Sequence, residues 1–166
     1  MAIVGRFIAG IGAVIWSPKT ERYLVLRRSS AKDYGAGAWE CVTGRVDQGE
    51  GFEEALHREV REELGVSIQA MTIIGTTHFY RGAAIPENEL LGVIFLCSLD
   101  DPECIHPGDE HSEHRWVTAD EAMALLSETD PTTRWARRVI ERAEAVRKVL
   151  PDGLVEYFQV NGFESG

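Results

Sequence analysis

The sequence predicts a single α/β domain, and three observations carry that expectation. Apolar runs of strand length recur at residues 7–16, 22–28, 70–80 and 90–99. Between and after them lie stretches with helical period, the clearest at 52–64. The 166 residues are 44% hydrophobic and 27% charged throughout, which suits one core that needs no disulfide or structural metal. The domain is expected over residues 1–150, with 151–166 as a C-terminal tail.

Residues 7–16 (FIAGIGAVIW) and 22–28 (RYLVLRR) read as strands joined at Pro18 into a hairpin. Residues 29–38 are a loop of small residues. A short apolar piece from Trp39 to Thr43 then precedes a loop, Gly44 to Gly51, that holds three glycines. In 52–64, Phe52, Ala55, Leu56, Val60 and Leu64 recur at helical spacing, and Gly65 supplies a stop. Residues 70–80 are strand-like. So are 90–99 (LLGVIFLCSL), whose nearly continuous apolar character suits an interior strand. After an acidic, proline-containing loop at 100–110, Thr118 and Glu121 make a capping box for a helix to about Ser127. Asp130 and Pro131 have the form of an N-cap and first residue of a longer helix to about Val149. The tail after Pro151 is either a late strand or an arm that binds a partner.

The chain carries 17 basic and 27 acidic residues, a net charge of −10. That argues against a nonspecific nucleic-acid binder, which needs a basic surface. Phosphorylated substrates stay open, because a bound divalent cation reverses the local sign. Three cysteines, Cys41, Cys97 and Cys104, form no C-x-x-C pair and read as free thiols in a reducing compartment. Cys41 and Cys97 lie in apolar stretches, as packing residues do. The apolar stretch from Phe7 to Trp16 lacks the features of a signal peptide and falls short of the ~20 residues of a membrane span. The expectation is a cytoplasmic protein without a membrane partner.

The unusual feature is an acid cluster on the 52–64 helix. At ~100° per residue, Glu59, Glu62 and Glu63 fall within roughly 100° of arc. Like charges at these spacings destabilise a helix by a few tenths of a kcal/mol per pair. The same wheel puts them beside the apolar stripe of Phe52, Leu56 and Val60, away from His57 and Arg61. Carboxylates at the edge of a buried stripe lose solvation, and a divalent cation between them offsets that cost. Oxygen-only ligands suit Mg²⁺, with Mn²⁺ as a substitute. The bland alternative is a solvated charge run paired to Arg58 and Arg61; the wheel position and the preceding glycines weigh against it. Glycine permits close backbone approach, so the Gly44 carbonyl is a further candidate metal ligand. No G-K-[ST] follows, so the loop is not a P-loop.

Together these residues form one long pattern: Gly44, five residues, Glu50, seven residues, Arg58-Glu59, apolar Val60, any residue, Glu62-Glu63, any residue, Gly65, apolar Val66. This resembles the Nudix box of the Nudix hydrolases with every fixed position filled. The resemblance implies an α/β/α sandwich around a mixed β-sheet. It also implies an enzyme that uses water and a divalent metal to cleave a nucleoside diphosphate linked to another moiety. Glu59, Glu62 and Glu63 would then be metal ligands, with Glu59 also placed to activate water. Arg58 would pair with Glu50 and orient the helix. Such an arrangement explains how a chain of net charge −10 holds a polyanion.

Family members often add an acid ahead of a Trp-containing strand. The matching stretch here is Glu110-His-Ser-Glu113-His-Arg-Trp116-Val, with Glu110 the first choice and Glu113 the second. Read by residue type alone, His111, Glu113 and His114 make a loose zinc pattern without an evident fourth ligand. An arginine at the end of the second strand contacts substrate phosphate in family members. Here that is Arg28 or Arg27, and alternation along a strand lets only one face the site. Trp39, Phe79 and Tyr80 are candidates for stacking on a base, with core packing as the alternative. His78 reads as structural.

The run from Trp39 to Glu50 is similar to W-x-x-V-T-G-x-V-x-x-G-E of the dihydroneopterin triphosphate pyrophosphohydrolase branch. The expected function is therefore hydrolysis of a nucleoside or pterin triphosphate to monophosphate and pyrophosphate. Alternatives are hydrolysis of a dinucleoside polyphosphate, a nucleotide sugar or ADP-ribose. From another class comes a non-catalytic nucleotide-binding sensor, which would show a degraded box. An isomerase of isoprenoid diphosphates would need a catalytic cysteine in the strand before the box, where Cys41 sits, but the short chain and the hydrolase box weigh against it. Family members are often dimers, and the apolar tail residues Leu154, Val155, Tyr157 and Phe158 are candidates for such a homodimer contact.

Overall fold

The computed structural model describes residues 4–32 and 34–166. The start of the expected domain, residues 1–3, and Asp33 of the 29–38 loop lie outside the described residues. The strands and helices run β1 (Ile8–Ser17), β2 (Arg22–Arg28), β3 (Trp39–Glu40), β4 (Val42–Arg45), α1 (Phe52–Leu64), β5 (Gln69–Tyr80), β6 (Glu89–Ser98), β7 (His111–Val117), α2 (Ala119–Leu125), α3 (Pro131–Arg147) and α4 (Asp152–Asn161). The expected hairpin forms, with Trp16 opposite Tyr23. The expected caps form as well. Thr118 and Glu121 close a reciprocal capping box, and the Asp130 side chain accepts from the Thr133 amide behind Pro131.

The sheet runs β3-β2-β1-β6-β5, with β4 added to β1 and β7 to β2. β1 and β6 pair in parallel and the remaining pairs are antiparallel, so the sheet is mixed. Alternation along the strands divides the core in two. Ala13, Ile15, Leu24 and Leu26 pack under α1 with Ala55, Leu56, Val60 and Leu64. Val14, Tyr23, Val25 and Leu96 pack under α3 with Ala136, Val139 and Ile140. Each large side chain buried this way contributes roughly 1.5–3 kcal/mol. With both faces covered along most of β1 and the second half of β6, little of either strand meets solvent, which explains their nearly unbroken apolar runs.

The tail is a helix rather than a strand. Its sequence, DGLVEYFQVN, contains a glycine, two valines and two aromatic residues, none of them strong helix formers. Tertiary packing supplies what propensity lacks. Phe158 stacks on Phe163 at 4.3 Å between ring centroids, and Phe163 meets the buried Phe95 edge-on at 5.4 Å. Phe158 thus turns inward, whereas Leu154, Tyr157 and Val160 remain exposed. Among the described residues, no helix is long and apolar enough to cross a membrane.

Candidate active site

Helix α1 presents Glu59, Glu62 and Glu63 to a cavity of about 210 Å³, which Gly108 and Glu110 of the loop before β7 and His111 at the start of β7 also line. Burial differs along this face. The Glu59 and Glu63 side chains are 15% and 13% exposed, while Glu62 is 61% exposed at the rim. A larger hollow of about 420 Å³ lies beyond the end of α1, between Val66–Gln69 and Ser98–Asp101. It gathers no comparable set of acids, so the smaller cavity is the candidate site.

Two local devices hold α1. Arg58 donates from Nε and Nη2 to both Glu50 oxygens, at 2.6 and 2.8 Å, from Nη2 to the Arg45 carbonyl at 2.9 Å, and from Nη1 to Glu59 at 2.9 Å. The guanidinium holds the Glu50 carboxyl down at about 2. The second device is an absence of side chain: a Cβ on Gly44 would fall 2.1 Å from the Glu59 carboxyl carbon. The backbone of β4 therefore lies directly against that carboxylate. A lysine cannot reproduce Arg58's fork. Arg58→Lys is expected to lower Tm by a few degrees and kcat by about tenfold, checked by thermal melts and turnover on one preparation.

Beneath the cavity lies a polar cluster that the sequence reading missed. Glu40 is only 4% exposed. It accepts from Arg28 Nη1 at 2.8 and 3.1 Å and from His111 Nε2 at 2.9 Å. Because a carboxylate only accepts, His111 carries its proton on Nε2. Its buried Nδ1 has no partner, and Nε2 lies 3.9 Å from Glu63. Burial, together with the charges of Glu40, Glu59 and Glu110, pushes the Glu63 carboxyl up to about 9. The signal for Glu40 was faint: a lone acid in an apolar stretch (AWECV) must be paired if it is buried.

Glu110 reaches the same cavity from the opposite wall. Lys32 pairs with it at 2.7 Å and holds its carboxyl below the usual range. Among the described residues, no three acidic, histidine or cysteine side chains already converge as a ligand set. Glu59 is drawn to Arg58 and Glu110 to Lys32. The donors nonetheless fit a hard divalent cation. They are carboxylate oxygens on two walls of one cavity, mutually repelling, with one buried acid that the site leaves protonated.

A NUDIX domain profile matches residues 6–143, most of the chain. The chain belongs to the Nudix family. An isopentenyl-diphosphate Δ-isomerase of Klebsiella pneumoniae is 34% identical over 113 residues, 65% of this chain and 60% of that protein. The chain thus spans less than two thirds of that relative. The MutT protein of Methanosarcina mazei superposes with a TM-score of 0.68 at 27% identity, covering 89% of this chain and 99% of that one. The Escherichia coli dihydroneopterin triphosphate pyrophosphohydrolase superposes at 0.62 with 24% identity, covering 84% and 97%, a likeness of fold.

Around the Nudix box, the remaining candidates separate by face. Alternation along β2 turns Arg27 and Arg28 to opposite faces, and a bulge at Ser112 of β7 sets His111 opposite Arg28. Arg28 meets Glu40 beside the cavity. Arg27 turns to the other face, toward Glu113 at 3.6 Å and over Trp39 at 5.8 Å. Trp39 is 4% exposed under Arg27 and Arg115, a core residue with no free face for a base. Glu113 pairs with Arg115 at 2.6 Å and does not line the cavity, so His111, Glu113 and His114 form no zinc set. Tyr80 is exposed near the end of β5, its ring centroid 5.8 Å from that of His78, which bonds Glu89. Neither Tyr80 nor His78 lines the cavity. Cys41 is fully buried in the core under α3, where burial pushes its thiol up to about 12.

Proposed function

We propose that this chain is a Mg²⁺-dependent pyrophosphohydrolase of nucleoside or pterin triphosphates, with Mn²⁺ as a possible replacement. The observation that carries the reading is the cavity where Glu59, Glu62 and Glu63 of an intact box face Glu110. Those four carboxylates and the Gly44 carbonyl would hold the cation. When bound, it neutralises phosphate charge and lowers the pKa of water. Arg28, at the cavity edge, is assigned to a phosphate oxygen, and Tyr80 to the outer part of the substrate. Glu59 takes the proton of the attacking water. The water oxygen bonds to phosphorus, the bridging P–O bond breaks, and pyrophosphate leaves with the electron pair. Arg58 keeps Glu59 in place throughout.

The kinship with an isoprenoid diphosphate isomerase raises a competing reaction. That reaction needs an acid or base at the carbon skeleton, and Cys41 lies on the wrong face for it. The test is a turnover panel with Mg²⁺: nucleoside triphosphates, dihydroneopterin triphosphate, dinucleoside polyphosphates, ADP-ribose, nucleotide sugars and isopentenyl diphosphate. Phosphate release is read with and without added pyrophosphatase. A signal from one triphosphate that requires pyrophosphatase is expected, and Cys41→Ala should keep most of it. Isomerisation of isopentenyl diphosphate, or hydrolysis confined to the other classes, would overturn the reading.

A further inference from the structure

α1 begins at Gly51, which has no side chain to cap the helix, and no neighbouring side chain takes that role. The capping group comes from the far end of the chain. Glu164 Oε1 accepts from the Glu53 amide at 2.9 Å, and Glu53 Oε2 accepts from the Phe163 amide at 3.0 Å. This is the reciprocal logic of a capping box, built between segments more than 100 residues apart. The geometry is tight. A Cβ on Gly51 would fall 2.0 Å from a Glu164 oxygen. Gly162 turns the chain into place with φ of 72°, open to glycine but not to most residues. Phe163, stacked on Phe158 and edge-on to Phe95, anchors the segment to the core that α1 shares.

The C-terminal end of α1 is held by its Gly65 cap and by the His106 and Gly108 amides, which donate to the Leu64 and Glu63 carbonyls. Arg58 holds its middle. The N-terminal end depends on the tail, which lies beyond the matched family domain ending at residue 143. A carboxylate there also complements the positive end of the helix dipole. We infer that Glu164 is a positioning residue for the active site: through its cap on α1, the C-terminal tail sets where the helix's carboxylates stand.

The consequence for activity rests on the hydrolase reading; the consequence for α1 does not. The test uses full-length Glu164→Ala, Glu164→Gln, Gly51→Ala and the Glu164→Ala/Gly51→Ala double variant. Amide exchange in the first turn of α1 should quicken about fivefold in Glu164→Ala. The Mg²⁺ concentration that half-saturates binding should rise. With a substrate in hand, kcat should fall about threefold to tenfold while KM stays. Glu164→Gln, which keeps an acceptor, should restore most of the loss. Gly51→Ala should reproduce it, and the double variant should be no worse than either single change. A lower Tm with unchanged kcat and Mg²⁺ binding would overturn the inference, as would additive single variants. If wild type turns over nothing, exchange and Mg²⁺ titration still decide the role of the tail. Sedimentation of Glu164→Ala separates a dimer contact: loss of a wild-type dimer alongside the exchange change would overturn a purely intramolecular cap.

Discussion

Replacing Glu63 by glutamine is expected to lower kcat by about 10³-fold or more, which corresponds to about 4 kcal/mol of transition-state stabilisation. The substitution keeps shape and removes only the capacity for charge. Its effect on the metal-free protein should run the other way. The Glu63 carboxyl is pushed from an ordinary 4.5 to about 9, first by burial and then by Glu40, Glu59 and Glu110. Below pH 4.5 it is protonated whether folded or unfolded, so its contribution is fully present. Between 4.5 and 9 the unfolded chain releases this proton and the folded chain keeps it, so stability falls as pH rises. Glu63→Gln has no proton to lose. Urea unfolding in EDTA should show wild type losing stability relative to the variant from pH 5 to pH 9. Mg²⁺ should narrow that gap, and its binding near neutral pH should release a proton. Equal pH slopes for the two proteins would show that Glu63 ionises normally. Undiminished turnover of the variant would remove it from the site.

Gly44→Ala should separate activity from stability. The added methyl falls 2.1 Å from the Glu59 carboxyl carbon and 2.2 Å from its Cγ, an overlap no side chain tolerates. What yields is the end of a flexible side chain, so folding survives the change. Glu59, however, cannot swing aside and keep its 2.9 Å bond to Arg58 together with its place on the cavity wall. A displacement of about 1 Å at a reacting centre costs on the order of 10²-fold in rate. The expected result is a kcat loss of that size with Tm within a few degrees of wild type. A large drop in Tm would mean that the β4 backbone moves instead. Unchanged kcat would mean that Glu59 does not act from this position.

Much of the site was legible because its determinants are local. Helical spacing aligned Glu59, Glu62 and Glu63, Gly65 ended their helix, and the eight-residue reach from Glu50 to Arg58 is spanned by one loop and two helical turns. Glu110, which the resemblance made the first choice outside the box, lines the same cavity. The parts that escaped are those for which a strand's face had to be known. Alternation separates Arg27 from Arg28, but which of them meets the cavity depends on the face that β2 turns to α1. Trp39, Glu40 and Cys41 are consecutive, yet the first and last belong to the core under α3 while Glu40 turns to the cavity. A one-residue change of register exchanges such roles, and register is set by pairing with distant strands.

The sequence alone therefore determined the α/β class, the hairpin, the capped helices and the acid face of α1, because periodicity and capping act within a few residues. Tertiary structure decided which neighbours of that face are buried with it. It made Glu40 and His111 a paired cluster below Glu63 and closed Trp39 to ligands. It also folded the tail into a helix and brought Glu164, three residues past its end, to cap α1. Those outcomes depend on burial and on contacts across the whole chain. A carboxylate in water and the same carboxylate under a sheet look identical in sequence and differ by several kcal/mol in what they need around them.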